Sequence, residues 1–236
     1  MTGYNFDDIV SCKIAVSSGN KVFFANGKRK SEIFVCDKDN PFYFPRCFNN
    51  RVGDDGGNVT AMCSTGEELY AFKKSGVYSV DLKGEKISNK ISLLADETSY
   101  FKDLGDFTIT RISNNRGCEN PNALRVIGKN PVWFSKNGEV LSIKNNIVKN
   151  VSHKIDKKTL EIFKENTTVA AAALNSYILM NKNMALLLNS EDDLWASYIW
   201  EFPTNVNLLG AVSNNEKITF KEIFDYEKIL SSRFGN

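Results

Sequence analysis

The sequence predicts an all-β, propeller-like fold made of several short antiparallel blades. Strand-like runs rich in Val, Ile, Phe, Tyr and Trp recur along the 236 residues, and Gly, Asn, Asp or Lys-Asn turn signals bound each run. One hairpin pattern also occurs twice with little change. Many short strands separated by frequent turns are typical of a sandwich, a barrel or a propeller, and the repetition favours the propeller.

Each predicted strand is a short apolar or alternating run that ends at a turn-forming residue. In chain order they are Lys21 to Ala25, Glu32 to Cys36, Asn58 to Cys63, Glu68 to Lys73, Gly76 to Asp81, Phe107 to Ile112, Leu124 to Ile127, Pro131 to Ser135, Glu139 to Ile143, Ser176 to Met180, Ala185 to Asn189, Trp195 to Phe202 and Lys217 to Phe220.

The repeated hairpin spans Leu69 to Asp81 and, with a one-residue offset at the turn, Val132 to Lys144. Each copy has an apolar strand, a turn ending in Gly76 or Gly138, and an alternating strand. Glycine suits such a turn because tight hairpins require positive φ at a central position. Weaker copies are predicted at Ser18 to Phe24, Leu174 to Leu188 and Asn214 to Phe220.

Repetition of this hairpin along the chain predicts small sheets whose apolar faces are covered by their neighbours. Three to five such units fit the chain, so one chain can leave the ring incomplete, to be completed by another copy or a partner. Apolar residues near helical spacing in 220–234 predict a short C-terminal helix. The predicted organisation is a propeller-like domain over 1–220 and a C-terminal arm or helix over 221–236. A further helical turn is predicted at Lys157 to Lys164.

Composition narrows the classes of partner. The net charge is +2, from 30 basic and 28 acidic residues of interspersed sign, so no sequence-specific nucleic-acid partner is expected. No apolar stretch is long enough to span a bilayer and no secretory leader is visible, which indicates a soluble protein. The odd number of cysteines has no C-x-x-C spacing and predicts small buried thiols: Cys12, Cys36, Cys47, Cys63 and Cys118.

The polar motifs do not point to catalysis, a metal or a cofactor. His153 is the single histidine and has no partner at a triad or metal-ligand spacing, so a surface position is expected. The acidic clusters lie between predicted strands, where Asx side chains cap turns; a weak calcium site is the alternative. These clusters are Asp37-Lys38-Asp39, Asp54-Asp55-Gly56-Gly57 and Glu191-Asp192-Asp193.

Two aromatic segments have both a packing and a binding interpretation. The rings of Phe42, Tyr43 and Phe44 lie between two prolines and either fill the core or form an exposed docking ridge. Core filling is favoured there, and packing is also favoured for the aromatic strand Trp195 to Trp200. If the chain binds a partner through loops, the candidate residues are Phe42, Tyr43, Phe44, Asp54 and Asp55.

Several segments, taken in order, resemble the β-propeller proteins of tailed-phage virions that lie at the portal and tail junction. They are Gly19 to Gly27, Ile33 to Pro45, Val52 to Gly56, Val59 to Ala61, Tyr70 to Tyr78, Gly117 to Cys118, Val132 to Gly138 and Val151 to Ile155. The resemblance implies a virion structural protein, made in the host cytoplasm, at the head-tail connector or tail. It also implies a homo-oligomeric ring that contacts other virion proteins, with no cofactor and no catalytic residues.

Two other functions remain open. A glycan-binding or cell-surface-binding propeller would use the aromatic segment and the Asn and Asp loops. A glycosidase would need two carboxylates facing each other across a cleft, and the first residues to inspect would be Asp37, Asp39, Asp54 and Asp55.

Overall fold

The computed structural model describes residues 6–37, 40–44, 49–66, 68–81, 107–165, 167–173, 175–191, 194–203, 206–214 and 217–224. Over these residues the fold is all-β and propeller-like, as the sequence predicts: four antiparallel sheets have four strands each, and a fifth has two. Strand order within every sheet follows the chain.

The five sheets are numbered in chain order. Sheet 1 consists of β1 (Ile14–Ser18), β2 (Lys21–Ala25), β3 (Glu32–Val35) and β4 (Asn49–Arg51). Sheet 2 consists of β5 (Val59–Ser64), β6 (Leu69–Lys73), β7 (Gly76–Asp81) and β8 (Thr108–Asn114). Sheet 3 consists of β9 (Leu124–Ile127), β10 (Asn130–Phe134), β11 (Val140–Lys144) and β12 (Ile147–Asn150). Sheet 4 consists of β13 (Val169–Ala173), β14 (Ser176–Asn181), β15 (Met184–Glu191) and β16 (Leu194–Glu201). Sheet 5 consists of β17 (Val206–Asn214) and β18 (Lys217–Phe224).

Short helices precede or connect the sheets. Helix α1 (Phe6–Val10) precedes sheet 1, and helix α2 (Lys157–Glu161) continues into a 3₁₀ turn at Ile162–Lys164 before sheet 4. A second 3₁₀ turn, Pro121–Ala123, leads into β9. The predicted helical turn between residues 157 and 164 is therefore confirmed.

The two similar hairpins occupy equivalent places in their sheets. One forms β6 and β7, the two middle strands of sheet 2, and the other forms β10 and β11, the two middle strands of sheet 3. Gly138 adopts φ +77° at its turn, the left-handed conformation that glycine reaches without steric strain. A repeated sequence pattern therefore marks a repeated structural unit.

Burial explains why the middle strands are the easiest to predict. Every residue of β6 and β14 is buried, whereas the fourth strands β8 and β12 consist of half-buried and exposed residues. Strands buried on both faces need continuous apolar sequence. Outer strands can be polar, because water contacts them.

The chain divides into two compact units, residues 1–117 and 118–236. In the first unit, side chains of sheets 1 and 2 form one apolar core that includes Phe23, Ile33, Leu69 and Tyr78, and β1 lies beside β5.

In the second unit, β13 lies beside both β9 and β17, so neighbouring sheets meet through their first strands. One face of sheet 4 packs against sheet 3 through Tyr177 and Leu179. The other face packs against β17 through Ile178 and Met180. At β14, each face of sheet 4 is thus covered by a neighbouring sheet, as in a stack of blades.

The C-terminal prediction is wrong where it can be compared. Residues 220–224 were expected to begin a helix, but β18 runs from Lys217 to Phe224 and pairs with β17 along its length. Cross-strand pairing decides this segment, because the apolar residues that suggest a helical stripe also suit a strand. Residues 225–236 lie outside the described residues, and the predicted boundary between residues 220 and 221 falls inside β18. Among the described residues, no helix combines the length and the apolar character needed to cross a membrane.

Candidate interaction site

The loop that joins sheet 1 to sheet 2 is built by glycine and an Asx turn. Gly53 and Gly56 adopt φ +60° and +67°, and the Gly57 amide donates a hydrogen bond to Asp55 Oδ1 at 3.2 Å. This is the local side-chain-to-backbone bond that Asp forms in turns. The predicted turn role of the Asp54-Asp55-Gly56-Gly57 cluster is confirmed for Asp55.

Asp55 also forms an ion pair with a buried lysine. Lys73, the last residue of β6, has no exposed side-chain surface, and its Nζ lies 2.6 Å from Asp55 Oδ1. The Ser75 hydroxyl donates a hydrogen bond to the other carboxylate oxygen. The hydrogen bonds from Lys73 and Ser75 lower the pKa of Asp55 from 3.8 to about 2. The Asp55 carboxylate is thus ionised and held in place across the physiological range.

Tyr78 lies beneath the same loop, and its ring is buried. The Lys73 ammonium lies 5.8 Å from the ring centroid and the Arg111 guanidinium lies 5.6 Å from it, both within cation–π range. Among the described residues, the buried Tyr78 hydroxyl finds no hydrogen-bond partner. Burial, followed by the charge of Asp55, raises the pKa of Tyr78.

The backbone at residue 53 lies so close to the Tyr78 hydroxyl that only glycine fits there. A Cβ atom on Gly53 would lie 2.4 Å from the Tyr78 hydroxyl oxygen, a distance that no non-bonded carbon and oxygen tolerate. The loop is therefore held by an ion pair, an Asx turn and a tight glycine contact, and it presents Asp54 to solvent. This is a rigid exposed loop on a sheet framework, which suits a binding surface.

These contacts bear on the carboxylates considered for glycosidase chemistry. A general acid needs a raised pKa, whereas the pKa of Asp55 is lowered to about 2. The Asp37 amide donates to the Tyr43 carbonyl at 2.8 Å, which ties Asp37 into the aromatic loop. Asp39 lies outside the described residues. Asp55 is thus unsuited to act as an acid catalyst at neutral pH.

The aromatic segment divides between the core and the surface. Phe44 is buried and contacts Phe24 edge-to-face, with ring centroids 5.2 Å apart, so core filling is correct for this ring. Tyr43 is half-buried. Phe42 is 81% exposed, and the preceding turn is fixed by the Phe42 amide, which donates to Asn40 Oδ1 at 3.0 Å. Of the three rings, Phe42 is the most exposed and hence the most accessible to a partner.

A second exposed apolar region lies on β16, where the sequence predicts packing. Tyr198, Ile199 and Trp200 are 56%, 47% and 37% exposed, so Tyr198 and Ile199 are less buried than the packing interpretation predicts, whereas most of Trp200 is buried. Residue type gave no signal for this, since aromatic and branched side chains are also typical of buried strands. Only the position of β16 as the fourth strand of its sheet distinguishes this exposed strand from a buried one.

The remaining candidates behave as ordinary structural groups. His153 is exposed and its Nδ1 lies 3.3 Å from the Asn150 carbonyl oxygen, as expected for a surface histidine. Cys36, Cys63 and Cys118 are buried thiols, which confirms the prediction for these three. Within the part of the chain that is described, His, Cys, Asp and Glu form no group of three or more that could hold a metal ion.

Comparison with known proteins identifies no family for the chain. No family model matches the chain, and no curated protein matches it. Among solved structures, the chain is similar to one chain of a Saccharomyces cerevisiae assembly described as a variant of Dbp5 bound to Nup159, a variant of Gle1, IP6 and ADP. The identity is 12%, the TM-score is 0.48, and the match covers 90% of this chain but 56% of the other. At that level the similarity supports no inference about function.

Proposed function

We propose that the chain is a structural protein of a phage virion, at the head-tail connector or tail, that acts through contacts with other virion proteins and with its own copies in a ring. The observation that supports this best is a framework of repeated four-stranded sheets with buried middle strands, from which loops and outer strands present exposed apolar side chains. The resemblance of the sequence to virion propellers supplies the virion setting.

The physical argument concerns stiffness. A sheet that packs against its neighbour through a shared apolar core, as sheets 1 and 2 do, cannot flex independently of that neighbour. Loops on such a framework hold fixed positions relative to the sheet. Two exposed residues lie on such loops. Phe42 follows the turn that its amide closes with Asn40 Oδ1, and Asp54 lies in the loop held by the Lys73–Asp55 ion pair. A rigid exposed aromatic side chain contributes contact area at low entropic cost on binding.

The direct test is the mass and shape of the purified protein. Light scattering and negative-stain imaging should give a ring with a defined number of copies. A monomer that forms no assembly with itself or with particle proteins would contradict the proposal. In a co-assembly assay, Phe42→Ala should weaken the contact while leaving stability unchanged. Ile162→Ala, at an exposed site on the 3₁₀ turn after α2, serves as the matched control.

The exposed Phe42 ring also favours one alternative, a propeller that binds glycans. An aromatic face stacks on sugar rings, and the neighbouring Asn40 and the exposed Asp54 could bond to hydroxyl groups. Under this alternative the protein is a monomer that a polysaccharide column retains, and Phe42→Ala abolishes retention. An assembled ring that the column does not retain would exclude it.

A further inference from the structure

The fourth strand of sheet 4 is a long, regular edge. Strand β16 extends over eight residues and pairs with β15 in unbroken register, from Glu191 opposite Leu194 to Met184 opposite Glu201. On its other side, no strand within the described ranges pairs with it. Such an edge offers unsatisfied backbone N–H and C=O groups to another chain.

The other three fourth strands carry features that discourage pairing. Strand β4 has only three residues, two Asn and one Arg. The pairing of β8 with β7 is interrupted between Val77 and Tyr78, and β8 carries Arg111. Strand β12 has four residues, one of which is Lys149. Short length, bulges and basic residues are the devices that protect sheet edges from self-association.

Strand β16 has none of these protections. From Leu194 to Trp200 it contains no charged residue and no proline, and its register with β15 shows no bulge. Tyr198 and Ile199 point to opposite faces of the sheet, since successive strand residues alternate, and both are about half exposed. At this point of the edge, each face of the sheet therefore exposes an apolar or aromatic side chain.

We infer that β16 pairs antiparallel with β16 of a second copy of this chain, around a two-fold axis. An antiparallel edge is complementary to itself under a two-fold, because each residue that meets a partner residue is met by it in turn. No like charges oppose each other along 194–200, and no charged group in that stretch must be desolvated. Aromatic side chains such as Tyr198 are enriched in the buried centre of such interfaces.

This contact does not rest on the proposed ring. A head-to-tail ring joins two different patches of each subunit, whereas a two-fold contact joins one patch to itself. The two contacts can therefore be present or absent independently. If a ring also forms, the β16 contact pairs two rings; if no ring forms, it produces a dimer.

The test compares two isoleucine-to-lysine variants of the full chain. Ile199→Lys places a charge on β16, and Ile147→Lys places the same charge on β12, where Ile147 is 58% exposed. Ile199→Lys should halve the mass measured by light scattering, from dimer to monomer or from paired rings to a single ring. Ile147→Lys should leave the mass unchanged. Urea unfolding of both variants verifies that each remains folded, as expected for substitutions at exposed sites.

Hydrogen exchange supplies a second measurement. In the wild type, backbone amides of 194–201 should become more protected as protein concentration rises, and Ile199→Lys should remove that dependence. A second variant, Tyr198→Lys, should act in the same way. A wild-type protein that remains monomeric would overturn the inference. So would an assembly whose mass is the same in wild type, Ile199→Lys and Tyr198→Lys, since its subunits would then meet elsewhere.

Discussion

Lys73 shows how one side chain can organise a surface loop. Its ammonium group has no exposed surface, and an unpaired charge in that position would be strongly destabilising. Asp55 supplies the opposite charge, and its second oxygen accepts a hydrogen bond from Ser75. The loop that presents Asp54 is therefore held in place from beneath, by a group that belongs to the neighbouring sheet.

Asp55→Asn should destabilise the protein, because it leaves the Lys73 ammonium buried without a counter-charge. We expect a loss of about 1–3 kcal/mol in the free energy of unfolding, at the lower end for a buried pair because the Asp55 carboxylate is partly exposed. Urea unfolding measures this loss. Asp54→Asn, the exposed neighbour, should change stability by less than about 0.5 kcal/mol. Adding Lys73→Met should recover part of the loss; no recovery would show that the ion pair is not the cause.

Gly53 and Gly128 form a matched pair for testing the contact with Tyr78. Both have φ +60°, but a Cβ on Gly128 would meet nothing within 4 Å, whereas one on Gly53 would clash with the Tyr78 hydroxyl. Gly128→Ala should cost about 1 kcal/mol from backbone strain alone. Gly53→Ala should cost a further 1–3 kcal/mol, roughly the penalty of overpacking. Equal losses in thermal or urea unfolding would contradict the proposed clash.

At the scale of the element, the burial of an apolar strand depends more on its position in the sheet than on its composition. The middle strands β6 and β14 are buried throughout, so their apolar residues indicate the core correctly. Strand β16 has similar residue types but is the fourth strand, and Tyr198 and Ile199 remain exposed. An apolar strand at the edge of a sheet is therefore a surface feature, which sequence alone misassigns.

Helix α2 has five residues and depends on its N-terminal cap. Asp156 Oδ2 accepts a hydrogen bond from the Lys158 amide at 3.1 Å, which satisfies one of the free amides of the first turn. Asp156→Ala should lower the free energy of unfolding by about 1 kcal/mol, and Asp156→Asn should retain most of the stability. If both variants lose the same amount in urea unfolding, the charge of Asp156 rather than its cap would be responsible.

At the scale of the whole molecule, stability should fall at alkaline pH. Burial raises the pKa of the Cys118 thiol from 9.0 to about 12 and the pKa of the Tyr177 hydroxyl well above its usual 10.0. The unfolded chain loses these protons first, so stability is full below about pH 9 and is lost as pH rises towards 12. Urea midpoints measured across this range should decline. Cys118→Ala should give a shallower decline, and an identical slope would contradict this explanation.

The loss of stability expected at acid pH has a different cause. The pKa of Asp55 lies at about 2 in the folded protein, against 3.8 as its ordinary value. The stability that its ionised form contributes is present above about pH 4 and is lost as pH falls towards 2. The difference in urea midpoint between wild type and Asp55→Asn should therefore narrow over that interval. A difference that stays constant down to pH 2 would show that Asp55 does not titrate there.

Two of the outer strands, β4 and β12, and the first helix are not predicted by the sequence. Strand β4 is Asn49–Arg51 and β12 is Ile147–Asn150, both short and polar, and each is a strand because its neighbour offers hydrogen bonds. Strand β13, with four alanines, has a composition that favours helices. Strand β1, strand β17 and helix α1 were likewise not predicted. In these segments pairing and packing override local preference.

The sequence by itself determined the all-β class, the hairpins and most middle strands, because alternation and turn-forming residues act locally along the chain. It also placed Asp55 in a turn and Cys118 among buried thiols. Only the tertiary structure decided that Lys73 is buried against Asp55, that Phe42 is exposed while Phe44 is buried, and that β16 is an open edge. These outcomes depend on which residues meet across sheets. Contacts between residues that are distant in the sequence produce no local pattern of residue types, so the sequence does not predict them.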